Sequence, residues 1–341
     1  MSARPDPFAA LDRLPRASLA LLPTPIQPLP RLTAHLGGPA LYIKRDDCTG
    51  LAGGGNKTRK LEYLLAAAQA SGADCVITAG STQSNHARQT AAGAAALGLD
   101  AHLVLYAPAG KPPARPEGNL LLCHLLGATI HWTDERVPYA ATLARVEDSL
   151  RAAGRRPYVV PYGGSNALGL MGYVAAMREV VAQSESPGWF GAHVFATSSG
   201  GTQAGMLLGA HLAGISDSVR LLGISVDQPA AAFAPRIAGL AVDGARLLGL
   251  SWTPPTEIIL VDDSYCTAGY AVVTDLEREA IRLLARLEGI LVDPVYTGRA
   301  LAGLLGLVRR GAFAGEERVL FWHTGGTAAL SAFARDLLPP S

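Results

Sequence analysis

Lys57 stands where a glycine-rich loop turns into a helix. Gly53-Gly54-Gly55-Asn56 precede it, and Leu61, Leu64 and Leu65 follow at helical spacing. Glycines at such a junction let a ligand approach the backbone closely, because no Cβ stands in the way. A lysine there suits two tasks: holding an anion, or forming a Schiff base with a carbonyl cofactor. A second junction, 79–86, places Ser84 and Asn85 where a helix N-cap belongs. The free N–H groups of a helix start suit an anion such as a carboxylate, although plain capping accounts for this turn equally well. At a third, 197–205, Ser199, Gly200, Gly201 and Thr202 offer backbone N–H groups and hydroxyls to one terminal phosphate. No Lys-Ser/Thr pair follows these glycines and the spacing is not GxGxxG, which weighs against a triphosphate or a dinucleotide. The fourth is His323-Thr324-Gly325-Gly326-Thr327. Tyr270 and Tyr296 each sit on a turn, and each also reads as an ordinary half-buried ring.

A Schiff-base lysine, a monophosphate cradle and a carboxylate-binding helix end are together what pyridoxal 5'-phosphate needs for amino-acid chemistry. The elements that would position them follow a pattern. Apolar runs at 40–45, 75–78, 102–106 and 129–132 read as strands, with helical segments at 86–97, 117–126 and 139–152 between the later ones. A second series follows, with strands near 158–161, 193–197, 220–226, 258–261 and 318–322. Helices near 168–182, 203–213, 276–287 and 299–309 separate these. Strands alternating with helices predict an α/β fold of two parallel-rich twisted sheets with a cleft between them. Ligands of such sheets bind beyond the carboxyl ends of strands, where all four junctions lie. The proline-rich stretch 1–39 reads as an extended arm laid over a surface.

Composition narrows the class. Hydrophobic residues make up 49% of the 341 and charged residues 17%, which points to a compact globular protein. A net charge of +1 with no basic run speaks against nucleic acid or anionic membrane as the main partner. No apolar stretch approaches a membrane span, and the N-terminus lacks the pattern of a signal peptide. Cys48, Cys75, Cys123 and Cys266 form no CxxC pair, so neither structural zinc nor a disulfide framework is expected, and no metal site is. A cytoplasmic enzyme is the expectation.

The motifs LPTP (22–25), IKRDD (43–47), GGGNKTRKLEYL (53–64), QSNHARQTAA, SSGGTQAG, DPVYTG and HTGGTAAL cover nearly the whole chain. Together they resemble the tryptophan-synthase-β-like, fold type II family of pyridoxal-phosphate enzymes. The nearest likeness is to its branch of D-cysteine desulfhydrases and 1-aminocyclopropane-1-carboxylate deaminases. The resemblance implies a larger cofactor-binding domain from 1–58 and 165–341 and a smaller one from 59–164, with the cofactor in the cleft. It also implies a homodimer. Lys57 matches the lysine that holds the cofactor covalently and moves the substrate proton, and Asn85 the residue bonded to the cofactor's ring hydroxyl. Ser84, with Gln83, Asn85 and His86 around it, corresponds to the substrate carboxylate site. Ser199, Gly200, Gly201 and Thr202 match the phosphate loop, Tyr270 and Tyr296 the active-site tyrosines, and Thr324 the group facing the ring nitrogen.

Within the branch, deaminases typically carry Glu, Leu and Gln where this chain has Thr297, Thr324 and His86. A neutral hydroxyl does not hold a proton on the ring nitrogen as a carboxylate would, so the ring is a weaker electron sink. Losing a thiolate from Cβ tolerates that; opening a cyclopropane, which has no such leaving group, should need more help. The expectation is therefore α,β-elimination from a small amino acid, D-cysteine first, by a carbon–sulfur lyase. The nearest alternative is an L-cysteate sulfo-lyase, which would want Arg59 or Arg88 aimed at the substrate. Cyclopropane deaminase, amino-acid racemase, a non-catalytic cofactor-binding protein and a dinucleotide dehydrogenase follow further behind.

Overall fold

A computed structural model describes residues 6–313 and 318–338 of the chain. A single turn, α1 (Ala9–Asp12), leads to β1 (Ile26–Pro28), α2 (Pro30–Leu36) and β2 (Ala40–Lys44). Then come α3 (Asn56–Ala70), β3 (Cys75–Ser81), α4 (Asn85–Ala96), β4 (Asp100–Tyr106), α5 (Gly118–Leu125), β5 (Thr129–Thr133), α6 (Tyr139–Ala152) and β6 (Pro157–Val159). The chain continues through α7 (Met171–Gln183), β7 (Ala192–Thr197), α8 (Gly201–Leu212), β8 (Arg220–Ser225), α9 (Ala230–Leu247) and β9 (Leu260–Asp262). It closes with α10 (Asp275–Glu288), α11 (Thr297–Arg309), β10 (Arg318–Trp322) and α12 (Ala334–Leu337).

Two sheets form. One has six strands in the order β1-β2-β10-β7-β8-β9, the other four in the order β5-β4-β3-β6. Only the β1–β2 pair is antiparallel. This is the parallel-rich α/β architecture that the strand–helix alternation implies. The boundary expected at 58/59 falls inside α3, and that at 164/165 just after the turn Tyr162–Gly164.

Three readings of the sequence change. The strand expected near 158–161 opens no second series, because 157–159 pair with β3 in the smaller sheet. The stretch 1–39 is more than a surface arm. Pro30 starts α2, where its missing N–H costs nothing, and Phe8, Leu11, Leu29 and Leu32 are buried. Residues 1–5 of that stretch lie outside the described residues. Finally, α9 was not anticipated. Its buried residues Phe233, Ile237 and Ala241 recur every fourth position, but Pro235 interrupts the signal.

A buried charge cluster joins the layers. Arg59 of α3 bonds Asp46, which follows β2, through Nη2 (2.8 Å) and Nε (3.1 Å), and reaches Glu179 of α7 at 2.9 Å. Tyr173 of α7 donates to Asp46 at 2.7 Å. Lys44 of β2 bonds Glu179 and the Thr24 carbonyl. Burial alone would raise the Glu179 carboxyl, but the hydrogen bonds and charge of Arg59, with Lys44 adding to them, bring it down to about 2. Its folded value therefore lies below the ordinary 4.5, so its contribution to stability is full above that pH and drains away as pH falls toward 2. Thermal melts should show this acid loss, and Glu179→Gln should remove it. Arg59→Met, which leaves Asp46 without a bonded cation and Glu179 with Lys44 alone, should cost about 3–5 kcal/mol in denaturant titrations.

Candidate functional site

The starts of three helices meet at one cavity. Open space between the two sheets is lined by the first residues of α3, the loop entering α4, the loop entering α8 and the turn after β10.

The first contribution comes from α3. Gly55 has φ 132°, and a Cβ there would lie 2.6 Å from Gln89 Nε2 and 3.2 Å from the Thr324 carbonyl. Glycine is thus required for the loop to press against α4 and the β10 turn. Gln89 in return accepts from the Thr58 N–H (2.8 Å) and hydroxyl (2.9 Å), satisfying an orphan donor at the helix start. Successive helical residues turn by about 100°, so Lys57 and Lys60 share a face while Arg59 points away from it. Lys57 lines the cavity. Its amine has no hydrogen-bond or ion-pair partner among the described residues, and burial lowers it to about 8. Lys60 is fully buried, donating to Ser165 Oγ (3.2 Å) and the Gly163 carbonyl (3.3 Å). Burial, then the positive charge of Lys57, pushes it well below its usual value.

At the entry to α4, Ser84 is the N-cap, its Oγ accepting from the Ala87 N–H at 3.1 Å while its own proton stays available. Asn85 and His86 line the cavity beside it. The Asn85 oxygen is taken by Asn119 Nδ2 (2.9 Å) and Arg88 Nη1 (3.4 Å), which leaves its amide N–H groups for a ligand acceptor. His86 bonds the Thr78 hydroxyl at 2.8 Å, and burial followed by the charges of Lys57 and Lys60 keeps it neutral. Gln83 does not line the cavity. Its side chain ties down the start of α5, accepting from the Asn119 N–H and donating to the Glu117 carbonyl.

At the entry to α8, Gly200 has φ 84°, and Ser198, Ser199, Gly200 and Thr202 line the cavity. Gly201 opens the helix behind them. Ser199 and Ser165 share a hydroxyl hydrogen bond of 2.7 Å, which connects this loop to Lys60. After β10, Thr324 and Gly325 complete the wall. Tyr296 lines the cavity; Tyr270 does not, but its hydroxyl meets that of Tyr296 at 2.7 Å. Burial raises both phenols, so both are neutral donors near pH 7.

The residues present fit a phosphorylated carbonyl cofactor. Lys57 lines the cavity and Lys60 sits buried behind its wall, with no carboxylate near enough to affect either, so an anion is the missing counter-charge for Lys57. The Thr197 hydroxyl is buried in the wall without a partner. Lys60, Ser165, Gln89 and Asn119 escaped the sequence reading. Position i+3 from Lys57 was the available signal for Lys60; nothing in the sequence marked Ser165 or Asn119. Among the described residues no group of His, Cys, Asp or Glu could hold a metal ion, and no helix is long and apolar enough to cross a membrane. Asn119→Ala should leave the fold intact yet weaken cofactor retention several-fold in dialysis, because Asn85 loses its stronger partner.

The sequence pattern of the pyridoxal-phosphate dependent enzyme family matches residues 17–325. D-cysteine desulfhydrases of Salmonella typhi and Salmonella newport (strain SL254) are each 44% identical over 329 residues, spanning 96% of this chain and 98% of theirs. A crystal structure of an ACC deaminase homologue superposes with a TM-score of 0.88 at 38% identity, covering 98% of this chain and 99% of that one. A fungal L-serine ammonia-lyase from Rhizomucor miehei (TM-score 0.67, 20% identity, covering 94% of this chain and 100% of that one) shares the fold. The chain belongs to the family of pyridoxal-phosphate dependent enzymes.

Proposed function

We propose that this enzyme converts D-cysteine, with one water, to pyruvate, hydrogen sulfide and ammonia by α,β-elimination. The observation that carries the reading is 44% identity to D-cysteine desulfhydrases over 96% of the chain. The polar surroundings support it. Arg59 is committed to Asp46 and Glu179, and Arg88 to Asn85, Asn119 and the Gly54 carbonyl. Neither lines the cavity, so neither offers the cation that a sulfonate substrate would want.

When bound, pyridoxal phosphate supplies the electron sink that weakens the Cα–H bond. Lys57 would hold it covalently, and its amine, lowered to about 8 by burial, has the basicity to take the Cα proton. Ser199, Gly200, Gly201 and Thr202, with Lys60 behind them, would hold the phosphate. Asn85 would donate to its ring oxygen, and Thr324 would offer a neutral hydroxyl at its ring nitrogen. Ser84 and the start of α4, flanked by His86, hold the substrate carboxylate; Gln83 acts on that site through α5. Tyr296, supported by Tyr270, stands ready to exchange a proton at the Cβ end as sulfide departs. In this reading 1–58 and 165–341 bind the cofactor and 59–164 close over substrate. The enzyme works in the cytoplasm, where its four free cysteines would stay reduced. It is a homodimer, for which the exposed Leu121 and Leu125 of α5 offer an apolar contact; light scattering giving a monomer would refute that.

Offered D-cysteine, L-cysteine, L-cysteate and D-serine side by side, the cofactor-loaded protein should release pyruvate rapidly from D-cysteine alone. Preference for cysteate, or α-ketobutyrate formed only from the cyclopropane amino acid, would overturn the substrate. Lys57→Ala should lose about 10²–10⁴-fold in turnover. Because capture of the cofactor carbonyl needs the neutral amine, uptake of pyridoxal phosphate by the apo-protein should quicken with rising pH and level off above about 8. A flat profile from pH 6 to 9 would contradict the lowered basicity of Lys57.

A further inference from the structure

Between β9 and α10 the chain runs beside the cavity as a strap, 263–274, that carries Tyr270. The Tyr270 hydroxyl bonds Tyr296 Oη at 2.7 Å and Ser81 Oγ, at the end of β3, at 3.3 Å. One phenol thus connects the cavity wall to the smaller sheet. The strap is not held by regular structure. Gly269 has φ 99°, and Ala271 has φ 60°, a left-handed conformation that an L-residue with a Cβ disfavours.

The hold comes from Arg299, a fully buried residue of α11. Its Nη1 donates to the carbonyls of Gly269 (3.0 Å) and Val226 (2.5 Å), and its Nη2 to the carbonyl of Val272 (2.7 Å). The two strap carbonyls flank Ala271, the residue with unfavourable backbone. Its Nε pairs with Glu277 at 2.8 Å, and the other Glu277 oxygen takes the Thr274 N–H at 2.8 Å together with the Thr274 hydroxyl. Arg299 and Glu277 therefore clamp the strap on both sides of its strained residue. A planar guanidinium can address three carbonyls and a carboxylate at once; an ammonium, a point charge on a flexible stem, cannot.

We propose that Arg299 is a positioning residue: by gripping the carbonyls of Gly269 and Val272 it sets the Tyr270 hydroxyl against Tyr296, and so orients the hydroxyl at the reacting end of the substrate. This rests on the reading that Tyr296 faces the substrate during elimination. Arg299 touches neither substrate nor cofactor, and its effect passes wholly through Tyr270.

The test compares the holoenzyme with Arg299→Lys, Glu277→Gln, Tyr270→Phe and the Arg299→Lys/Tyr270→Phe double variant. Arg299→Lys should lower kcat on D-cysteine about tenfold to a hundredfold, with KM and cofactor absorbance little changed. The double variant should be no slower than Tyr270→Phe alone, since the two share one route. Without substrate, hydrogen exchange across 266–273 should accelerate in Arg299→Lys while the strands keep their protection. Additive losses in the double variant, or unchanged exchange at 266–273, would overturn the proposal. Should Arg299→Lys not fold, Glu277→Gln, which keeps the shape of the clamp and removes its charge, carries the same comparisons. If the wild type leaves D-cysteine untouched, the substrate reading falls, and the exchange pattern still decides whether Arg299 holds the strap.

Discussion

The active arrangement depends on how α3 is pinned. Arg59 is bonded to Asp46 and Glu179 in the interior, and Tyr173, Thr24 and Lys44 complete the cluster. Breaking one partner of such a cluster strands a charge away from water, so the helix can neither rotate nor slide without a large cost. Because helical residues advance by about 100°, fixing Arg59 on one face fixes Lys57 and Lys60 on another. The same cluster draws in β2, α7 and the N-terminal stretch, so the frame of the larger sheet and the aim of the cavity lysines are set together.

With α3 fixed, electrostatics shape the cavity. The N-termini of α3, α4 and α8 all open toward it with the positive ends of their helix dipoles, while the Asn56 and Thr58 N–H groups of α3 are already bonded to the Thr324 carbonyl and to Gln89. Lys57 adds to that potential, and burial, joined for Lys60 by the charge of Lys57, lowers the basicity of both lysines. The protein alone holds too much positive character in one place. An anionic ligand with two ends, one at α8 and one at α4, would relieve it. The walls between those ends are neutral hydroxyls and amides: Thr324, Asn85, Thr202 and Tyr296. Such walls suit chemistry in which the leaving group carries off its own charge.

A second rank of residues holds the first in place. Asn119 and Arg88 orient Asn85, Gln89 caps α3, Ser165 joins Ser199 to Lys60, and Arg299 grips the strap of Tyr270. None is adjacent in sequence to the group it supports, except Arg88 to Asn85. Thr297, which distinguishes this chain from deaminases in sequence, belongs to this rank too: its hydroxyl bonds Asp293 and the Gly325 carbonyl instead of lining the cavity. Its bonds thus fix the turns that carry Tyr296 and Gly325.

Local chemistry was legible in the chain itself. The glycine run before Lys57, the cap at Ser84 and the Ser199–Thr202 cradle are short-range patterns whose conformational needs a few neighbouring residues satisfy, and the strand–helix alternation implied the two sheets. The folded structure decided what depends on distant partners. It turned Gln83 away from the cavity toward α5, placed Tyr270 behind Tyr296, moved 157–159 into the smaller sheet, and spent Arg59 and Arg88 on structural bonds. An arginine reads the same in sequence whether it faces a substrate or a buried carboxylate. Only packing, by deciding which opposite charge lies within hydrogen-bond reach away from water, separates the two.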